Sequence, residues 1–157
     1  MSEQSTSEFQ NLLKTLGSYS ERPSWEQYFI LICKLVSLRS SCHRLKVGCV
    51  LVHDNVIIST GYNGFPAGAP HVGIIQDGHE QMTIHAEINS IANASKRGVS
   101  TNHAICYVSH YPCINCTKAL ISAGIKEIKY IDDYKNDDLV AVICNKIEKK
   151  VKILKVV

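Results

Sequence analysis

The sequence predicts a three-layer α/β/α domain built on a central mixed five-stranded sheet, and three observations carry that expectation. Two apolar strand-like runs are joined by an Asp54-Asn55 turn, strand and helix patterns then alternate to the C-terminus, and glycines or a proline punctuate the helix ends. A hairpin followed by alternating strands and helices folds into a mixed sheet covered by helices on both faces. A chain of 157 residues suits one domain able to close a single core.

The first 22 residues, rich in Ser, Glu, Gln and Thr, read as a flexible arm ahead of a domain spanning 23–157, although Phe9, Leu12, Leu13 and Leu16 have the spacing of a short helix. Ser24 followed by Gln27 forms a capping box, and Trp25, Tyr28, Phe29, Ile32, Leu35 and Val36 recur at helical spacing. A helix is therefore expected from Ser24 to about Leu38. A basic loop, Arg39 to Lys46, leads into strands over 47–52 and 56–62. The first is apolar almost throughout, as in a strand buried on both faces. A Gly- and Pro-containing loop over 63–83 follows; loops of that length in compact domains are functional or disordered. Next come a helix from His85 to Lys96 stopped by Gly98, a strand over 104–109, and a helix after Pro112 stopped by Gly124. A strand over 127–131, a helix over 137–147 and a strand over 151–156 complete the chain. Lys146, Lys149, Lys150, Lys152 and Lys155 alternate with Val151, Ile153 and Val156, the pattern of a solvated strand face.

Composition narrows the function classes. With 45% apolar and 20% charged residues the chain reads as an ordinary soluble protein. No apolar run approaches the roughly 18 residues of a membrane span. Met1 to Asn11 lacks the basic start and apolar stretch of a secretory signal, so a cytoplasmic location is expected. Net charge is +3, with Lys and Arg scattered; a stable nucleic-acid partner would ask for a concentrated basic stripe. Seven cysteines, an odd number, argue for metal binding or core packing over a disulfide scaffold. Cys33, Cys49, Cys106 and Cys144 sit in apolar runs and are expected to be buried hydrophobes.

Cys113 and Cys116 differ, because they stand three apart at a helix start. A helix N-terminus favours the thiolate that binds metal. With His85 they offer one nitrogen and two sulfurs, leaving a fourth tetrahedral position for water. Three protein ligands plus water is the arrangement of a catalytic zinc site. Glu87, two residues past His85, can stand beside that water as proton shuttle without being a ligand. Two other readings of the same residues exist. A redox pair would need no metal, and a closed structural zinc site would need His110 or His79 as fourth ligand and would leave Glu87 without a role.

The H-x-E and P-C-x-x-C segments together match the zinc deaminase pattern. The chain resembles the deoxycytidylate deaminases of the cytidine deaminase superfamily from about Trp25 to Tyr134. The carriers are Arg39-Ser40-Ser41-Cys42 with Val47-Gly48, Gly61-Tyr62-Asn63-Gly64, His85-Ala86-Glu87-Ile88-Asn89, the run from Tyr107 to Cys116, and Gly124-Ile125-Lys126-Glu127 with Asp133-Tyr134. That resemblance implies a hydrolase that converts dCMP to dUMP, the precursor of thymidylate, by attack of zinc-bound water at C4, with dCTP to dUTP as a second candidate reaction. It also implies that Asn63 hydrogen-bonds the sugar and helps seat the base, and that Ser109 and His110 flank the metal. Arg39, Arg44 and Lys46, with Tyr134 and Lys135, are candidates for the phosphate. A solvated loop is the alternative for the three basic residues, a core cap for Tyr134, and plain packing for His110. His43, His53, His71 and His103 are expected at the surface.

One departure stands out. Many members carry loop cysteines that hold a second, structural zinc, yet no cysteine lies between Asn63 and Ile84 here, so one Zn2+ per subunit is expected. The resemblance further implies a homohexamer, allosteric control by dCTP and dTTP, and Mg2+ accompanying a triphosphate effector. A tRNA base deaminase and a non-catalytic zinc or nucleotide-binding module remain the rival functions.

Overall fold

Residues near the N-terminus already form a helix. The computed structural model describes residues 3–42, 44–76, 79–148 and 150–157, without the side chains of Glu3, Gln4 and His79. The expected placements of His43 and Lys149, and any ligand role of the His79 side chain, lie outside the described residues. Helix α1 (Glu3–Gly17) follows the spacing of Phe9, Leu13 and Leu16 and leaves all three exposed. Helix α2 (Trp25–Ser37) starts at the capping box. Ser24 Oγ accepts the Gln27 N–H at 3.2 Å, and Gln27 Oε1 accepts the Ser24 N–H at 2.8 Å.

Strands β1 (Gly48–His53) and β2 (Val56–Tyr62) pair antiparallel. Their turn places Asp54 (φ 49°) and Asn55 (φ 60°) in the left-handed region, the conformation that lets a two-residue turn match strand twist. The stretch over 63–83 is not the unbroken loop its composition suggests. It holds a small antiparallel hairpin, β3 (Ile75–Gln76) and β4 (His79–Glu80). Two residues per strand are too few for an alternation to register.

The remaining elements fall in the expected order: α3 (Ala86–Lys96), β5 (Ile105–His110), α4 (Ile114–Ser122), β6 (Glu127–Asp132), α5 (Asp138–Lys146) and β7 (Lys152–Lys155). The main sheet has five strands in the order β2-β1-β5-β6-β7. Neighbours among its first three strands pair antiparallel, and its last three are parallel, which is the predicted mixed sheet. Alternation along β1 serves both faces. Cys49 and Leu51 pack with Ala86, Val108, Leu120 and Ile128 on one side, while Val50 and Val52 pack with Phe29, Cys33 and Tyr107 on the other. Helix α2 covers the second side, and α3 crosses β1 and β2 on the first. Cys33, Cys49, Cys106 and Cys144 are buried free thiols, as expected. No described helix is long and apolar enough to cross a membrane.

The position of α3 depends on a missing side chain. A Cβ at Gly61 would collide with the Ala86 carbonyl oxygen and the Ser90 nitrogen, both helix backbone. Because Gly61 has none, the first turn of α3 lies directly on β2. Asn89 Nδ2 donates to Tyr62 O, Asn93 Nδ2 donates to Thr60 O, each at 2.9 Å, and Ser59 Oγ donates to Ser90 O at 2.7 Å. Gly61→Ala is therefore expected to destabilise the fold by about 3 kcal/mol, the upper range of overpacking, because backbone has to move on one side. Urea unfolding checks this; a loss below about 1 kcal/mol would mean that the helix can shift freely.

Candidate active site

Helix starts bring the chemistry together. His85 is the N-cap of α3 and Cys113 the N-cap of α4. Cys113 Sγ accepts the Cys116 N–H at 3.4 Å, so the thiol does the work a Ser or Asp side chain does at other helix starts. Cys116 sits one turn in, buried at the α4 face. The His85 Nδ1 lies 3.3 Å from Cys116 Sγ and 3.7 Å from Cys113 Sγ. All three donor atoms fall within 4.8 Å of one another. Among the described residues this is the one such group of His, Cys, Asp or Glu.

The donor set fits zinc. Zinc–nitrogen and zinc–sulfur bonds of about 2.0 and 2.3 Å at a tetrahedral angle imply a nitrogen-to-sulfur edge of about 3.5 Å. The observed 3.3 and 3.7 Å bracket it. One imidazole nitrogen and two sulfurs would hold the ion. His110, the alternative fourth ligand, stands outside this group.

Electrostatics prepare the thiolate. A hydrogen bond from Cys116, followed by one from His85, lowers the Cys113 pKa to about 3, while the shared proton and burial hold Cys116 well above the ordinary thiol range. His85 is raised, chiefly by its bond to Cys113. Glu87 occupies the first turn of α3 at 4% exposure. Burial pushes its carboxyl above the ordinary carboxylate range against the pull of His85, and its side chain is in hydrogen-bond contact with Cys116. A buried carboxyl whose pKa moves toward neutrality, beside a metal-ligating cluster, is suited to move protons.

His85, Glu87 and Cys113 share the wall of a cavity of about 250 Å³, while the buried Cys116 does not line it. Of the expected substrate contacts, Arg44, Asn63, His110 and Tyr134 line it, and so does Lys135. Arg39, Lys46 and Ser109 do not. Arg39 closes the turn after α2 with its N–H on Val36 O, and Lys46 is exposed just before β1. Ser109 is fully buried, its Oγ accepting the Gly48 N–H at 3.0 Å and meeting His110 Nδ1 at 2.8 Å. That contact and an edge-on approach to Tyr134, with ring centroids 6.1 Å apart, set the His110 ring; burial lowers its pKa.

Asn63 has a structural task that its motif does not reveal. Its Oδ1 accepts from Ser40 Oγ and the Val47 N–H, each at 2.7 Å, and its Nδ2 donates to Leu45 O at 2.8 Å. The side chain thus knots the basic loop to the start of β1. One Nδ2 hydrogen is left over for a ligand. The sequence reading missed Glu80 and Asp137, which also line the cavity. Asp137 was legible as the N-cap of α5; an isolated acid such as Glu80 in a long loop carries no spacing signal.

Fold and site together define a three-layer α/β/α domain with an open His-Cys-Cys metal site and a buried carboxyl beside it. Residues 23–132 match the model of the cytidine and deoxycytidylate deaminase zinc-binding region. The chain belongs to the cytidine and deoxycytidylate deaminase family. It is 50% identical over 119 residues to the ComE operon protein 2 of Bacillus subtilis (strain 168), covering 73% of this chain and 63% of that protein. It is 38% identical over 128 residues to the deoxycytidylate deaminase of Schizosaccharomyces pombe (strain 972 / ATCC 24843), covering 74% and 39%. The chain thus matches less than two thirds of the length of these curated relatives. Among solved structures, the dCMP deaminase from cyanophage S-TIM5 in complex with dCMP and dUMP superposes with a TM-score of 0.76 at 28% identity, covering 87% of this chain and 99% of that one.

Proposed function

We propose that the chain is a zinc-dependent hydrolase that deaminates dCMP to dUMP. The observation that carries this reading is the convergence of His85, Cys113 and Cys116 on one donor group, with the buried Glu87 beside His85 and Cys113 on the wall of the cavity. Zinc held by the three donors supplies Lewis acidity, which lowers the pKa of a coordinated water toward about 7. Glu87 takes the proton that the attacking water loses as the C4–O bond forms and delivers it to ring nitrogen N3. It then takes the proton of the new C4 hydroxyl and delivers it to the amino group, so the C4–N bond breaks, ammonia leaves and C4 becomes a carbonyl.

The other residues bind and orient. The spare Nδ2 hydrogen of Asn63 faces the sugar, and His110 with Tyr134 forms an aromatic wall. Arg44 and Lys135 carry the charge that suits a phosphate. Support for a nucleotide comes from the solved phage deaminase, which binds dCMP and dUMP. The single converging donor group among the described residues supports one Zn2+ per subunit. A homohexamer, dCTP and dTTP as effectors, Mg2+ accompanying them, and turnover of dCTP belong to this reading through the family resemblance.

A panel of dCMP, dCTP, cytidine and tRNA, followed by ammonia release, tests the assignment. The expected result is turnover of dCMP at a kcat/KM at least about 100-fold above that for cytidine, since the lost phosphate contacts are charge-assisted. Activity on tRNA alone would replace this reading with a nucleic-acid deaminase. Zinc and nucleotide binding without ammonia release from any of them would make the chain a binding module.

A further inference from the structure

The cavity edge formed by Glu80 and Thr83 is held by a group with no part in the proton transfer or metal binding. Glu80, at the end of β4, lines the cavity. Its Oε1 accepts the Ile74 N–H at 3.1 Å and the Met82 N–H at 2.9 Å, gathering the chain on both sides of the small hairpin onto one oxygen. The other oxygen lies against Gly73, where an added Cβ would collide with it. The Gln81 N–H donates to Ile74 O at 2.9 Å, and a bridge between Gly64 and Ile84 closes the base of the loop.

Apolar packing does little for this segment. Val72, Ile74 and Ile75 are each more than half exposed, and the two strands have two residues each. A hairpin that short has no independent stability in water. Hydrogen bonds from backbone amides to a carboxylate are charge-assisted and about twice as strong as neutral ones. The described part of the hairpin is therefore held by the Glu80 carboxylate.

We propose that Glu80 is a positioning residue, whose carboxylate ties the backbone of Ile74 to that of Met82, fixes Glu80 and the adjoining Thr83 at the cavity, and so sets how tightly the nucleotide is held. It acts through the hairpin and not on the reacting atoms. The effect on substrate rests on the nucleotide reading given above; the tie itself does not.

Amide hydrogen exchange without substrate reads the tie directly. In Glu80→Ala, exchange at Ile74 and Met82 is expected to accelerate about tenfold or more as the hairpin opens locally. In Glu80→Gln, which keeps an oxygen acceptor but loses the charge, the rate is expected to lie between wild type and Glu80→Ala. Gly73→Ala should accelerate the same amides, and Gly73→Ala combined with Glu80→Ala should be no faster than Glu80→Ala alone, because clash and tie are one contact. With dCMP, Glu80→Ala is expected to raise KM about tenfold and leave kcat within about twofold, with Glu80→Gln restoring about half of the loss. Unchanged exchange at both amides, or additive effects of the two alanines, would overturn the tie. Faster exchange with an unchanged KM would overturn the positioning role. Failure of the wild-type protein to deaminate dCMP would count against the proposed function, and the exchange result would still decide the tie.

Discussion

Glu87→Gln is expected to lower kcat for dCMP by about a thousandfold or more, the upper range for loss of a general acid–base group, while zinc content and folding stay as in the wild type. Gln has the shape of Glu but cannot carry the proton. Glu87 is nearly fully buried, and burial works against its charged form, so a neutral isostere costs the fold nothing on that account. Steady-state kinetics alongside metal analysis and a thermal melt check this. Full activity in the variant would show that protons travel by another route. Lost activity together with lost zinc would instead make Glu87 part of the metal's support.

Cys116→Ser is expected to act one step earlier, on the ion. Cys116 is 1% exposed and stands 3.3 Å from His85 Nδ1. A serine hydroxyl does not supply the thiolate that zinc prefers. Zinc per chain should drop from one to below about a tenth, with activity falling in parallel. A chelator should reproduce the activity loss in the wild type, and added zinc should restore it there but not in Cys116→Ser. Two zinc ions per wild-type chain would contradict a single site. An intact dCMP activity in the serine variant would remove Cys116 from the ligand set.

Much of this site was legible before any coordinates, and particular residues show why. Helix starts announce themselves locally: the Ser24 and Gln27 box, Pro112 before Cys113, and the stops at Gly98 and Gly124. Since His85, Cys113 and Cys116 all stand at or just inside helix starts, sequence punctuation located them. The alternation of Cys49, Val50, Leu51 and Val52 between two cores was readable as an apolar run buried on both faces.

What stayed hidden depends on which partner a side chain finds. Asn63 belongs to a recognisable motif, yet its oxygen is taken by Ser40 and Val47, a use that no local pattern encodes. Arg39, Arg44 and Lys46 look alike in sequence, and only Arg44 reaches the cavity. The fold here is tied by the Asn63 side chain, some twenty residues away, through bonds to Ser40, Leu45 and Val47. The β3–β4 hairpin escaped notice because a side chain, not a strand pattern, holds it together.

The most direct test of the central claim is hydrolysis of dCMP by the zinc-loaded protein in water enriched in oxygen-18, with mass analysis of the product. Attack of water at C4 predicts dUMP carrying one solvent oxygen at C4 and one ammonia released per dUMP formed. Recovery of unchanged dCMP, or of dUMP without the label, would contradict it.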